Sequence, residues 1–400
     1  MKQNLSYVIV TPYSIVKSRT GGVISRLLSR SKLELVGAQM IAPDESFVHE
    51  YAETLLRQAS KNLRGGVDLL ANYVERNLGP SGGRCHRSLL LLFRGESPCA
   101  KLSDICGALF PENINFESLT GETIRDTYAD LVFDYDDPQK VIYFEPAVLT
   151  PRNQEFADEN MALFVRHFRN GENVTSNMIY PESAKIEQTM VILKPDNWSY
   201  ASSKPGAILD MFSRTGLRII AIKIFRFSMN QALDFYSPVE PALMENLAPI
   251  IGRKAREILE NEFAFSLSED TGKILRESFA RKYTREQFLQ IVEFMSGRRP
   301  NTCPADEADK PGNVKCMILL YEGENAIQKI RDVLGPTDPL EAPGGTVRRE
   351  FGSSTMVNTA HASDSVENCE REKRIVKINE NSVIPMIEEY LNTNPHEVGG

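Results

Sequence analysis

The sequence predicts an α+β protein built from two tandem copies of a strand–helix–strand–strand–helix–strand unit with antiparallel sheets. Three observations predict it. Val8-Ile9-Val10-Thr11-Pro12 is echoed by Val191-Ile192-Leu193-Lys194-Pro195. Leu89 to Gly107 matches Met317 to Gly335 without a gap, with Gly95-Glu96 opposite Gly323-Glu324. Thr123-Ile124-Arg125 then corresponds to Thr346-Val347-Arg348. Three matches in one order, starting about 185 residues apart, mark duplication of a whole domain and not a solenoid.

Each element follows from local pattern. The β-rich runs at Val8 and Val191 each meet a turn containing glycine, Gly21-Gly22 and Pro205-Gly206. Helical patterns follow at Val23 to Ser29 and Ala207 to Ser213, then second strands at Leu33 to Met40 and Leu217 to Phe225. The matched segments at Leu89 and Met317 supply a third strand and a further helix. This order fits a ferredoxin-like (βαββαβ) unit, an antiparallel sheet with helices on one face. The expected domains are residues 1–150, a linker at 151–184 with a short helix at Phe156 to Phe168, a second domain at 185–391, and a polar tail at 392–400. The second copy carries a charged helical insertion at about 237–286 and a Pro/Gly/Asp-rich loop at about 296–313.

Composition bounds the function. The chain has 400 residues, 42% hydrophobic and 25% charged, which is ordinary for folded domains. Lys+Arg 46 against Asp+Glu 54 gives a net charge of -8, so nucleic acid is not an expected partner. The longest strongly apolar runs, Leu89 to Phe93 and Met317 to Tyr321, are of strand length, so no membrane partner is expected. With no apolar signal core near the N-terminus, the expected location is cytoplasmic. The six cysteines form no CxxC pair and match no common zinc spacing.

Several motifs are set aside. There is no GxxxxGK[ST], GxGxxG or HExxH. Gly79-Pro80-Ser81-Gly82-Gly83 matches GxSxG but follows a helical pattern, whereas a nucleophile elbow needs a strand-to-helix turn. It reads as a turn.

The informative segment is Asn358-Thr359-Ala360-His361-Ala362-Ser363-Asp364-Ser365, followed by Glu367 and Glu372. Neutral imidazole is a competent nucleophile near pH 7, and a carboxylate on its second nitrogen would fix the tautomer. Asp364 and Glu367 also have the spacing of a helix cap, so residue chemistry alone leaves a nucleophile site and a capping loop both open. Lys194, Arg331 and Arg348 are the cations suited to phosphate oxygens.

Taken together, these residues resemble the nucleoside diphosphate kinase family. Its signature, Asn-x-x-His-x-Ser-Asp-Ser, is matched at Asn358 to Ser365, with Ala362 where the family usually has Gly. Glu372 stands at the family's glutamate, eleven residues after the histidine. Lys194-Pro195-Asp196 matches its Lys-Pro-Asp strand end. Arg331, Gly335, Thr337 and Pro339 match Arg-x-x-x-Gly-x-Thr-x-Pro, and Gly345-Thr346-Val347-Arg348 matches Gly-Thr-[Ile/Val]-Arg.

The resemblance implies a ping-pong transfer of the γ-phosphate of ATP or another nucleoside triphosphate to a nucleoside diphosphate through His361. It implies that Lys194, Arg331, Thr337 and Arg348 hold phosphates and that Asn358 with Lys194 contacts the ribose. Glu372 would orient His361, Ser363 would be a hydrogen-bonding neighbour, and Tyr236 would pack close by. Mg2+ would bridge phosphate oxygens, with Asp364 reaching it through water. The family's stacking aromatic falls on Gln287, so Phe288 by a one-residue shift, together with Ile291, is the base-binding candidate; helix-core packing is the alternative for both. The first copy resembles the family more faintly. Thr11, Ser103 and Leu109 stand at the Lys194, Arg331 and Thr337 positions, Arg125 survives opposite Arg348, and no histidine occurs between His86 and His167. That copy is expected to be non-catalytic. Self-association is expected, with the two copies forming an intrachain pseudo-dimer. The alternatives are a nucleotide-responsive regulatory or scaffolding protein with little turnover, and a histidine phosphocarrier.

Overall fold

The structure is a computed structural model that describes residues 3–59, 64–109, 121–137, 140–175 and 179–394. The chain divides into two compact units. One comprises Met1–Ile224, Met317–Lys373 and Lys377–Gly400, and the other Phe225–Cys316 with Arg374–Val376.

The first unit holds two four-stranded antiparallel sheets. In the first copy the elements are β1 (Asn4–Val10), α1 (Thr20–Arg30), β2 (Glu34–Ile41), α2 (Glu45–Gln58), α3 (Arg64–Asn77), β3 (Ser88–Gly95), α4 (Pro98–Cys106), β4 (Val148–Leu149) and α5 (Gln154–Phe168). In the second they are β5 (Ile186–Leu193), α6 (Lys204–Ser213), β6 (Arg218–Phe225), β7 (Cys316–Glu324), α7 (Ala326–Leu334), β8 (Ala360–Ala362), α8 (Val366–Ile375) and α9 (Val383–Thr393). The strand orders are β2-β3-β1-β4 and β8-β5-β7-β6. Apart from a separate two-stranded antiparallel sheet in the first copy, Asp130–Phe133 with Val141–Glu145, both read second, third, first, fourth within their copy, which is the ferredoxin-like order. The registers repeat as well: Val10 faces Leu89 in β1–β3, and Leu193 faces Met317 in β5–β7.

Alternation along the strands divides the apolar residues between two cores. Val8, Val10, Leu89, Leu91 and Phe93 join Val191, Leu193, Met317 and Leu319 in one core with α1 and α6. Leu5, Tyr7, Ile9, Leu90 and Leu92 point the other way, into a second core with α2, α3, α5 and α9. The first sheet is therefore covered on both faces, not one. Gln154–Phe168, expected within a linker, is a core helix of the first copy through Ala157, Met161 and Phe164. Helix α9 runs to Thr393, two residues into the expected tail, whose residues 395–400 lie outside the described residues.

Helices α1 and α6 meet through glycine. A Cβ on Gly206 would lie 2.5 Å from the Ser25 nitrogen, and one on Gly21 would lie 2.5 Å from Asp210 Cγ. No side chain fits at either position, so the two equivalent helices approach backbone to backbone.

The second unit is mainly helical, with helices at Met229–Tyr236, Val239–Phe263, Glu269–Ile274 and Arg281–Ser296 and a π-helical turn at Leu275–Ala280. Ser228 and Gln231 form a capping box at its first helix. Phe227 packs edge-on against Phe225 and Phe235, with ring centroids 4.9 and 5.4 Å apart. The expected insertion and the Pro/Gly/Asp-rich loop both fall within this unit, which opens earlier, at Phe225. Among the described residues no helix is long and apolar enough to cross a membrane.

Candidate active site

The site is built where the end of β5 meets β8. Pairing places His361 opposite Ile192 and Ala360 opposite Leu193. The chain enters β8 through Thr359, whose φ of 72° is left-handed. That conformation is costly for a β-branched residue and persists only when its surroundings fix it. Here they do. The Thr359 carbonyl accepts from Lys194 N at 2.9 Å and from Asn197 Nδ2 at 2.7 Å. Its hydroxyl donates to Phe351 O at 2.9 Å and lies 3.3 Å from Asp196 Oδ2. Asp196 in turn pairs with Lys204 Nζ at 3.0 Å.

This turn brings Asn358 and Lys194 together, with Lys194 Nζ donating to Asn358 Oδ1 at 2.6 Å. Asn358 Nδ2 donates to the carbonyls of Thr337 and Thr355 at 3.1 and 2.9 Å, which ties in the Thr337 segment. Both Lys194 and Asn358 are buried, whereas the Arg331 and Thr337 side chains are exposed.

His361 is half-buried, and its Nε2 lies 2.8 Å from Glu372 Oε1. Glu372 is buried on α8, and its second oxygen accepts from Ser363 Oγ at 2.6 Å. Ser363 is held in place by Met190, whose N–H donates to Ser363 Oγ at 3.3 Å and whose carbonyl accepts Ser363 N at 3.0 Å. A carboxylate at this position orients the imidazole and favours the tautomer with its proton on Nε2.

Arg348 donates from Nη1 to Gly335 O at 2.9 Å and from Nη2 to Ala360 O at 3.1 Å. Asp364 is exposed and accepts from Asn368 Nδ2 at 2.6 Å. The α8 cap differs from the expected one: Ser365 Oγ accepts from Asn368 N at 3.1 Å, so the cap falls one residue beyond Asp364. Among the described residues no group of three or more His, Cys, Asp or Glu side chains is arranged to hold a metal ion.

The structure thus brings together Lys194, Asn358, His361, Ser363 and Glu372, with Arg348 bonded to the same strand. Tyr236, Phe288 and Ile291 belong to the second unit. There Phe288 is buried with the Arg285 guanidinium 5.5 Å above its ring, Tyr236 is buried and Ile291 is half-buried. Sequence reasoning missed Asn197 and Thr359. The signal for Asn197 was its place directly after Lys194-Pro195-Asp196; nothing local marked Thr359 as left-handed.

A family model described as nucleoside diphosphate kinase matches residues 271–381. The nucleoside diphosphate kinase of a Nitratiruptor species is 30% identical over 187 residues, 47% of this chain and 92% of that protein. This chain belongs to the nucleoside diphosphate kinase family. The nucleoside diphosphate kinase of Chlamydia pneumoniae is 30% identical over 183 residues, 46% of this chain and 85% of its own. A crystal structure of the Aquifex aeolicus nucleoside diphosphate kinase matches 48% of this chain and 95% of that one at 26% identity, with a TM-score of 0.29. Strand order and register, not that superposition, carry the fold. The family model covers residues 271–381, and each of these relatives matches about half of the chain.

Proposed function

We propose that this chain is a nucleoside diphosphate kinase that transfers the γ-phosphate of a nucleoside triphosphate to a nucleoside diphosphate through a phosphohistidine at His361. The observation that carries the reading is the His361–Glu372–Ser363 chain of hydrogen bonds within a family member's signature segment. His361 Nδ1 attacks the γ-phosphorus, an N–P bond forms, and the bond from that phosphorus to the bridging oxygen breaks to release the diphosphate. An acceptor diphosphate then attacks the phosphohistidine with a terminal oxygen, and Nδ1 leaves. Glu372 holds the Nε2 proton throughout and stabilises the positive charge that develops on the ring.

Lys194, Arg331, Thr337 and Arg348 bind phosphate oxygens in this reading, and Asn358 with Lys194 meets the ribose. Tyr236, Phe288 and Ile291 are assigned to the base side. Phosphoryl transfer needs positioning and charge neutralisation above all, which is what these cations and the Asn358 amide would supply. Hard oxygen donors suit Mg2+, and one exposed carboxylate, Asp364, without a protein cage fits an ion carried in by phosphates. Bound there, the ion would neutralise phosphate charge. The first copy is proposed as non-catalytic, serving with the second as an intrachain pseudo-dimer through α1 and α6.

The test is labelling with γ-labelled ATP and magnesium, removal of free nucleotide, then addition of GDP. Acid-labile, base-stable label on His361 that leaves as GTP supports the kinase. Label that stays on GDP addition supports a phosphocarrier, and no label supports a nucleotide-responsive binding protein.

A further inference from the structure

The Gly79-Pro80-Ser81-Gly82-Gly83 segment, set aside as a nucleophile elbow, has another use. Ser81 and Arg84 exchange backbone hydrogen bonds of 2.8 and 3.1 Å around Gly82 and Gly83, whose φ values are 58° and 76°. Two consecutive positive φ values make a tight hairpin turn that glycine alone adopts without strain. The turn delivers Arg84-Cys85-His86-Arg87 to the wall of a cavity of about 470 Å³ within the first unit, a volume in the range of small-molecule sites.

The chemistry of that cavity is mainly cationic. Arg84, Arg87 and Arg218 line it with His86, against Asp210 in the lining and the nearby Glu322 carboxylate, whose charge also acts on Arg87. Asp210 is already engaged with the backbone N–H groups of Gly21 and Gly22 at the start of α1, and burial raises its pKa. Arg87 donates to Ile219 O, an acceptor without charge. Burial, reinforced by the neighbouring Arg218 guanidinium, pushes the Arg87 pKa down to about 10. Arg218 lies 4.8 Å from the Tyr180 ring centroid and donates to Ile179 O at 3.3 Å. His86 donates Nδ1–H to Asn77 O at 2.8 Å.

Tyr321 supplies a second, independent observation. It lines the same cavity from β7, is 2% exposed, and its hydroxyl has no hydrogen-bond partner among the described residues. A buried phenol left unpaired costs free energy, and its proton suits an acceptor placed in the cavity. Burial and the nearby Asp210 charge keep it neutral, as a donor. Like guanidinium charges with a neutral donor beside them favour an anion with several oxygens, while Ile15 and Ile219 provide an apolar wall for the remainder of a molecule.

We propose that this cavity binds a small phosphate-bearing molecule, with Arg84, Arg87 and Arg218 around the phosphoryl oxygens and Tyr321 donating its hydroxyl. The site is formed by both copies, and it stands independently of the reaction proposed at His361. It gives the non-catalytic copy a ligand-binding role through Arg84 and Arg87.

The test is calorimetric titration of the full chain with inorganic pyrophosphate and, separately, with AMP. Because the His361 site also meets phosphates, the readout is the part of the binding that responds to substitution in the cavity. Tyr321→Phe removes one hydrogen bond to a charged acceptor and is expected to weaken this component about tenfold. Arg84→Gln, at an exposed position with no bearing on folding, is expected to weaken it at least as much, with kinase turnover unchanged in both variants. Tighter binding of AMP than of pyrophosphate identifies a nucleotide-like occupant, and the reverse a free phosphate species; either supports the site. Identical pyrophosphate and AMP titrations in wild type, Tyr321→Phe and Arg84→Gln overturn it, as does no uptake of either probe by wild type at millimolar concentration. Failure of phosphoenzyme labelling would leave these titrations as they are, so the two readings fail separately.

Discussion

Arg125 and Arg348 make the same two hydrogen bonds in the two copies. Arg348 spans Gly335 O and Ala360 O, and Arg125 spans Gly107 O and Val148 O. Gly107 and Gly335 are themselves equivalent helix ends, with φ of 86° and 84°. The first copy has lost Lys194, Arg331 and His361 equivalents yet keeps this arginine, buried in its own strand–helix junction. Its retention points to a bracing role, in addition to any contact with phosphate.

That brace can be measured. Arg125→Met leaves two buried carbonyls without donors and is expected to cost about 2–4 kcal/mol, read as a lower urea midpoint. Labelling at His361 should persist in the folded fraction. Arg348→Met should lose both stability and turnover. An Arg125→Met protein as stable as wild type would show that these bonds contribute little.

The His361–Glu372 contact predicts a different signature. Glu372→Gln preserves the side-chain shape but removes the charge that favours protonated Nε2 and stabilises the ring as it becomes positive. Phosphoenzyme formation is expected to fall roughly 100-fold or more, with little change in the far-ultraviolet circular dichroism spectrum. Rapid-quench labelling checks it, and a fall of less than twofold would remove Glu372 from the mechanism.

The strand order and the family were legible because both depend on local pattern. Alternating apolar strands and a short signature segment survive at the level of single residues. Other features depend on distant partners. Helix α5 carries Ala157, Met161 and Phe164 on one face of an Asn- and Glu-rich segment, and the polar face disguised it as a linker. Helix α9 covers the first copy, with Val383 Cγ2 3.0 Å from where a Cβ on Gly37 would stand, although nearly 350 residues separate them. The left-handed residues entering β4 and β8, Ala147 and Thr359, have φ of 61° and 72° and are not glycines. Tertiary hydrogen bonds impose those conformations, so no turn signature exposes them.

Glu145 makes the first copy's stability depend on pH. Its carboxylate is buried and accepts from Thr11 Oγ1 at 2.7 Å, Tyr73 OH at 2.6 Å and Ala147 N at 3.0 Å. Burial outweighs these donors and raises its pKa above the ordinary 4.5. The folded state therefore holds this proton to higher pH than the unfolded chain does. The resulting contribution is complete below the unfolded pKa and is lost as pH rises through the folded value. Glu145→Gln should remove this downward slope of stability just above pH 4.5 while keeping an acceptor for Thr11 and Ala147. Urea titrations at a series of pH values test it. Parallel curves for the variant and wild type would show that Glu145 contributes no such slope.

The proposal that the first copy is non-catalytic makes a final prediction. Ile9 and Ile192 occupy matching places in the two first strands, and they pair with Leu149 and His361 respectively. Leu149 therefore stands where the second copy has His361. Eleven residues on, Asn160 takes the place of Glu372 and donates Nδ2–H to Tyr7 OH at 2.8 Å. A histidine at 149 would lack the carboxylate that orients it, and Thr11 would not supply the lysine. Leu149→His in a His361→Ala background is accordingly expected to give no phosphoenzyme and to lower stability, because the position is buried among apolar neighbours. Adding Thr11→Lys should not restore labelling while Asn160 remains. Label appearing on residue 149 in either variant would mean that the first copy still binds a triphosphate in line with this strand.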